Sequence, residues 1–599
     1  MAGRRRRALD AVKWTLLVGV PLFVLVAAWQ GYHVYVVAKH LTTAQSTLQT
    51  AQDAISARDV TKAKAELAKA GVDTKQAADA ANDPLWSLLN HVPFLGGTLA
   101  TAQTVTRSAD QIARVILPPA LEAATDLDGK HLRKPDGSID YQRIANTEPA
   151  LRKAAVAMHQ EVARVTRTHS RVGYLQDKRT KFLDQITKLD TQLTKAQEAA
   201  SNLPAMLGAE GTRRYFVGFL TNAEARSTGG FLGAYGILRA DHGHLSFERF
   251  GTNADLKPAA KPVVDLGNQF SLNYDYARTA QTWTESTIDP HYPEVGAIWV
   301  GLWKAQTGEQ LDGAIATDPS GLSHLLAVTG PVLTTSGDIV TADNVVPLVE
   351  NLAYSKFGDA NQMGRKLFLL DVASHVSHAL LSQGGDAGGL VDALKGAARD
   401  HRIRVFASRK VEQQLILDTP VSGELPKRGR PLAYLVLNNA AANKMEYYLQ
   451  RAVTYIPTHC GKPAEIKITL TNTLTDPAGL PMTVVSHIPA IKDTPLGSVV
   501  DIATLYINGV ANYHGMQLDG VDVGPRASIE HGLTALSWFV TVRPGATAVT
   551  RVFVDSDRAG STPRIVSQPL VIPEIDSVLP PPPCEKTKKL ARTTERGAS

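Results

Sequence analysis

Two stretches of this chain carry residues whose types and spacing suit phosphate chemistry. The first is "TNAEARSTGGFLGAYG", residues 221–236, where Asn222, Glu224 and Arg226 alternate directly after the apolar, strand-like run "RYFVGFL". A strand ending there delivers all three to the edge at which α/β sheets gather binding groups. Gly229 and Gly230 let the backbone bend sharply or approach a ligand closely. The second is "AYSKFGDANQMGRK", which sets Lys356, Asp359, Asn361, Arg365 and Lys366 just ahead of a helix-like run. A guanidinium grips phosphate as a fork and an ammonium as a point charge, so arginine and lysine together suit a phosphate or pyrophosphate. Nearby carboxylates suit Mg²⁺, which takes one or two of them plus substrate oxygens. The competing reading is structural: an N-cap and turn in the second stretch, and an internal Glu224–Arg226 or Glu–Lys pair in the first.

The sequence holds no G-x-x-x-x-G-K-[ST], H-E-x-x-H, G-x-S-x-G or paired C-x-x-C motif. The glycines of "GGFLGAYG" do not fit the dinucleotide fingerprint, and they lead into a strand, which speaks against a phosphate cradle on a helix N-terminus. His375 and His378 in "SHVSH" share a helical face and read as solvated. Cys460 and Cys584, the two cysteines of the chain, are expected to form one disulfide in an oxidising compartment; without a histidine pair nearby they lack metal-ligand spacing.

The elements that must position these residues follow from pattern. At 599 residues the chain exceeds one core, since a domain takes roughly 100 to 200 residues. Its net charge of +6 gathers near the two ends, which is not the one-faced basic stripe of a nucleic-acid binder. Residues 1–13 read as a cytoplasmic basic tail. Residues 14–38 contain no Asp, Glu, Lys or Arg and are mostly apolar, so they are expected to span a bilayer once as a helix, with the rest of the chain outside; a cleaved signal peptide is the alternative. Residues 39–204 read as a helical stalk: "RDVTKAKAELAKAGVDTKQAADA" is rich in helix formers, with Asp59 as N-cap. Apolar positions from Leu151 through Leu193 recur at spacings of three and four, the stripe of a long helix. That stripe offers a surface for a homo-oligomer, or for folding back. Residues 205–428 alternate strand-like and helical runs and read as α/β. Residues 429–579 carry short alternating strands with Gly, Pro and Asn turns and read as an antiparallel β-sandwich. The Pro-rich, basic end, 580–599, is expected to be disordered.

Taken together, "LTNAEARSTGGFLGAYGIL", "LDGAIATDPSGLSHLLAVTGPV", "TADNVVPLVENLAYSKF" and "LVLNNAAANKMEYYLQRAVTY" resemble the bacterial membrane-anchored family of unknown function DUF4012. That resemblance brings no activity. The order of the same segments is more distantly similar to the LytR-CpsA-Psr family, which transfers glycopolymers from polyprenyl-pyrophosphate carriers to the cell wall using arginines, acidic residues and Mg²⁺. The second resemblance implies that Lys356 stands for one family arginine, Asp359 for its aspartate, and Gly364 with Arg365 for its Gly-Arg step. The family's further arginine falls near residues 368–370, where this chain has Phe and Leu, and its aspartate-serine-arginine loop is replaced by Asn222, Glu224 and Arg226.

The expectation is a multidomain protein: an N-terminal transmembrane helix, an α-helical stalk or bundle, an α/β middle domain and a C-terminal antiparallel β-sandwich. It would be a single-pass protein of the cell membrane, largely extracytoplasmic, in contact with the lipid bilayer. Its middle domain would bind or transfer a polyprenyl-phosphate-linked glycan or cell-wall polymer. In that reading Arg226 and Arg365 neutralise pyrophosphate, and Glu224 and Asp359 hold Mg²⁺ or act as base. The alternative is a non-enzymatic scaffold for envelope assembly.

Overall fold

The structure, a computed structural model, describes residues 20–57, 59–83, 96–127, 132–382, 387–458, 463–509, 512–555 and 561–581. Cys460 and Cys584, the basic tail 1–13 and nearly all of 580–599 lie outside them. The chain divides into two compact units, Met1–Lys134 with Ile139–Ala205, and Pro135–Ser138 with Met206–Ser599.

In the first unit, α1 (Val20–Ser56) folds back on α2 (Val60–Ala81). The Asp59 carboxylate accepts the Lys62 N–H at 2.9 Å and starts α2. The buried face of α2 is mostly small, with Ala63, Ala70, Ala77 and Ala81 around Leu67, so α1 can approach closely. His33 and His40 of α1 reach the Ala80 carbonyl at 3.0 Å and Asp73 at 2.8 Å, contacts that fix the pair as antiparallel.

These contacts bear on the expected transmembrane helix. Among the described residues no helix is long and apolar enough to cross a membrane. Residues 14–19 lie outside the description, and from Val20 the helix does not stop at 38 but runs on to Ser56. Its polar groups explain the difference: His33 finds a carbonyl on α2, a partner that hydrocarbon does not provide, and Val37 packs beside Ala81.

Next come α3 (Gly96–Gln111), a π-turn (Ile112–Ile116) and α4 (Leu117–Asp126), then α5 (Tyr141–Thr166) and α6 (Gly173–Met206). The stripe expected of one long helix is split over α5 and α6. Ser170 makes the break: its Oγ accepts the Val172 N–H at 3.1 Å, and its N–H donates to the Gln176 side chain at 3.0 Å. The two helices then run antiparallel, joined by Gln197 to Glu148 at 2.9 Å, His159 to Asp190 at 3.2 Å and Arg179 to the Val165 carbonyl at 3.0 Å. Ile186 and Leu193 are buried within this unit.

The second unit begins with β1 (Arg213–Thr221), β2 (Phe231–Asp241), β3 (His244–Thr252) and β4 (Gly313–Thr317). After a short hairpin of β5 (Val332–Leu333) and β6 (Ile339–Val340), β7 (Ile403–Ala407) completes a five-stranded sheet in the order β3-β2-β1-β4-β7. β1 is parallel to β4 and antiparallel to β2. The period of two sends Phe216 and Leu220 to one face, with Trp299 and Trp303 of α7 (Tyr292–Thr307). Val217 and Phe219 go to the other, with Leu325 of α8 (Pro319–Thr329) and Phe368 and Val372 of α9 (Gln362–Ser382). Gly218 makes room for Trp299, whose ring would stand 2.5 Å from a Cβ there. Each such apolar side chain contributes about 1.5–3 kcal/mol by leaving water.

The remaining strands form two facing sheets. One has the order β13-β12-β16-β10-β9-β18, with β9 (Leu449–Ile456), β10 (Ala464–Asn472), β12 (Tyr513–Leu518), β13 (Val521–Asp522), β16 (Thr547–Val554) and β18 (Ile575–Val578). The other has the order β14-β15-β11-β8-β17, with β8 (Leu432–Asn439), β11 (Val499–Asn508), β14 (Arg526–Glu530), β15 (Leu533–Val542) and β17 (Arg564–Ser567). Ala464, Ile466, Ile468 and Leu470 of β10 alternate into the core between them. The expected antiparallel character is corrected in one respect. β17 and β18 join β8 and β9 in parallel, because the chain returns after β16 to lay one strand along the edge of each sheet.

Candidate functional site

β1 ends at Thr221, and residues 222–230 loop back into β2. Instead of opening to solvent, this loop faces the end of β8. The Ala225 carbonyl accepts the Asn439 N–H at 2.9 Å, and the Ser227 N–H donates to Asn438 Oδ1 at 2.8 Å. Glu224, 4% exposed, takes Arg226 Nη2 on one carboxylate oxygen at 3.2 Å and the Lys444 ammonium on the other. Burial alone would raise the Glu224 pKa, but Lys444 and Arg226 outweigh it and hold the carboxyl below the usual range. Arg226 also donates to the Asn439 carbonyl at 3.0 Å.

Asn222 is equally enclosed. Its Nδ2 donates to the Gly229 carbonyl at 3.0 Å, to Asp318 at 3.2 Å and to the Pro569 carbonyl at 3.1 Å. Asp318, the N-cap of α8, also takes Arg402 at 3.1 Å. Beside them lies Glu350, held within a π-turn (Leu348–Leu352). It accepts Thr221 Oγ1 at 2.5 Å and the N–H groups of Asn222 and Ala223 at 2.9 and 3.0 Å. Burial raises its pKa to about 7 against those three donors.

The two glycines do serve a close approach, but to the chain itself. At Gly230 a Cβ would stand 2.3 Å from the Thr221 carbonyl oxygen. At Gly229, where φ is +124°, it would meet Pro569 at 3.2–3.3 Å. Gly230→Ala is therefore expected to cost about 2–3 kcal/mol, since backbone must give way. A urea unfolding midpoint equal to wild type would refute the contact.

The second stretch is spread over several tasks. Lys356 pairs with Asp338 at 2.7 Å on the surface. Asp359 accepts the Thr483 hydroxyl at 2.5 Å and the Thr483 and Met482 N–H groups at 2.8 and 2.6 Å, which together lower its pKa. Asn361 Oδ1 accepts the Gly364 N–H at 2.9 Å at the start of α9. Lys366 is half-buried. Arg365 is 6% exposed, its guanidinium 4.6 Å over the Tyr354 ring and its Nη1 without a hydrogen bond. Tyr354 belongs to the same buried cluster as Ala225, so Arg365 and the Glu224 loop approach one another through it. Asp359 and Lys356 do not take part.

Glu224 and Asp359 do not fit a Mg²⁺ pair. The first faces two cations, and the second is saturated by N–H donors. Among the described residues no group of three His, Cys, Asp or Glu side chains could hold a metal ion. A groove of about 720 Å³ in the first unit is lined by Leu67, Val72, Ala113, Arg114 and Leu121 among others, and by no residue of either stretch.

Sequence reasoning missed Lys444, Glu446, Asp501 and Glu350. Glu446 takes the Ala225 N–H at 3.0 Å and the Asn439 side chain at 2.8–2.9 Å. Asp501 neighbours it, with no hydrogen-bond donor on its oxygens other than the Glu446 carboxyl, and burial raises its pKa to about 7 and that of Glu446 well above the carboxylate range. The legible signal was polar residues inside apolar runs, "VENL" and "NNAAANKME".

Residues 210–354 match the model of a family described as Protein of unknown function (DUF4012). The match takes in Asn222, Glu224, Arg226 and Glu350 and ends before Asp359 and Arg365. No curated protein and no solved structure matches the chain.

Proposed function

We propose that this chain is a non-enzymatic scaffold for cell-envelope assembly, whose second unit presents its outer surface to other proteins. The observation that carries this reading is that Glu224 and Arg226 are spent on each other and on Lys444 and Asn439 inside a buried joint. A general base must reach its proton directly or through one water, and a carboxylate between two cations is poor both as base and as metal ligand. The extracytoplasmic setting rests on the resemblance to the glycopolymer transferases.

The test is calorimetric titration of a short-chain polyprenyl pyrophosphate into the full chain, with and without Mg²⁺. The expected result is no Mg²⁺-dependent binding by the wild type. Mg²⁺-dependent binding that Arg226→Ala and Arg365→Ala both abolish while remaining folded would overturn the scaffold reading. One observation favours a second reading, in which the unit binds a phosphorylated glycan without chemistry: the buried Arg365 guanidinium has no carboxylate partner within 4.0 Å among the described residues, and such a group suits a phosphate. That reading expects metal-independent binding lost in Arg365→Ala and retained in Asp359→Asn.

A further inference from the structure

Residues 568–574 join β17 to β18 and cross from one sheet edge to the other. Side chains from elsewhere hold the backbone of this segment. Asn222 donates to the Pro569 carbonyl at 3.1 Å, and Arg402 to the Leu570 carbonyl at 2.8 Å. Arg451 donates to the carbonyls of Gln568 at 3.0 Å and Ile572 at 3.1 Å. The Gln568 side-chain amide mimics a peptide group, bonding both the N–H and the carbonyl of Leu437 at 2.9 Å and donating to the Arg226 carbonyl at 2.7 Å. Two anchors complete the grip: Leu570, 1% exposed in the sandwich core, and Glu574, 3.3 Å from Arg451 with both side chains fully buried.

This is how a groove reads a bound peptide, through its carbonyls plus an apolar and an acidic anchor, with the segment turned by the Leu570 N–H donating to the Gln568 carbonyl at 3.0 Å. The flanking strands fit the same description. β17 and β18 pair in parallel over four residue pairs each, while the other described pairings in the two sheets are antiparallel. Both are edge strands, each at one end of its sheet.

We propose that Asn222, Gly229, Arg402, Arg451 and Leu437 form a peptide-binding crevice that the chain fills with its own residues 568–574. The same segment of a second copy takes that place when two copies exchange C-terminal strands. A second copy is the occupant because the sequence that fits the crevice is the chain's own, and exchange of an identical element creates a dimer with no new contact chemistry. The nine residues between Val554 and Arg564 reach about 30 Å when extended, enough to lead the segment to a neighbouring molecule.

Complementation tests this. Leu570→Asp spoils the segment and leaves the crevice; Arg402→Ala weakens the crevice and leaves the segment. Each full-length variant alone is expected to be monomeric by light scattering, and their equimolar mixture to give a species of twice the mass. A mixture that stays monomeric while both variants melt cooperatively overturns the proposal. A second measurement needs no variant. Donor- and acceptor-labelled wild-type chains, mixed at high concentration, are expected to develop energy transfer that an excess of synthetic 564–579 peptide suppresses. Absence of transfer, or transfer indifferent to the peptide, also overturns it.

Discussion

The second unit is expected to unfold at a higher temperature at pH 5 than at pH 8, and Asp501→Asn is expected to remove part of the difference. The cause is a set of carboxyls buried where their charge is unwelcome. Burial raises Glu350 and Asp501 to about 7 and Glu446 and Asp289 well above their ordinary range. In the unfolded chain each releases its proton near pH 4; in the fold it keeps that proton until pH 7 or beyond. Between those values the folded state binds more protons, so stability is fully present below pH 4 and falls as pH rises, by about 1.4 kcal/mol per pH unit for each retained proton. Glu446 and Asp501 are neighbours and titrate as one interacting pair. His531, raised by Glu294, works in the same direction. His291 and His401, lowered by burial to about 4, oppose it between pH 5 and 6.5 but are outnumbered. Glu224 and Asp359, held low, lose their contribution only below about pH 4 and leave the window untouched. Melting curves at four pH values check this, and a midpoint that is flat or rises from pH 5 to pH 8 in the wild type would sink it. Asp501→Asn is the informative variant because its oxygens have no donor to lose other than the neighbouring Glu446 carboxyl.

Lys444→Met is expected to destabilise the second unit by about 1.5–3 kcal/mol, the cost of removing a charge-assisted hydrogen bond from a buried carboxylate. Lys444 is 8% and Glu224 4% exposed, so water cannot take over the role of the missing ammonium. Arg226 would remain on one carboxylate oxygen at 3.2 Å, while the other would face apolar surroundings that include Phe231, 5.7 Å from the Lys444 ammonium. The double variant Glu224→Gln/Lys444→Met should lose more than the single one, because Arg226 then keeps a buried charge whose remaining carboxylate neighbour is Glu285 at 3.6 Å. Urea unfolding followed by tryptophan fluorescence reads the result, with Trp299 and Trp303 reporting from the core next to β1. Equal losses in the single and double variants would mean that the Glu224 charge does not hold Arg226, and would refute the three-charge cluster.

Sequence alone determined much of the local structure. The continuous apolar run in "RYFVGFL" dictated a buried strand, and Asp59 with the Ala-rich run behind it dictated the start of α2. The order of a helical region followed by sheet-bearing regions was equally plain. The direction of β17 and β18 was not, since parallel and antiparallel strands share one side-chain period and only the path of the connection separates them. An apolar helix reads alike whether lipid or another helix covers it, and the contacts of His33 and Val37 with α2 came from the fold. The same limit governed the site. Glu224 and Arg226 stand two residues apart, but Lys444 lies 220 residues away in sequence, Glu350 reaches back to Thr221 across 129, and Pro569 meets Asn222 across 347. Residue types showed that these groups could bind charge. Whether they bind a ligand or one another depended on which distant segments close over the end of β1, and long-range packing, not local pattern, decides that.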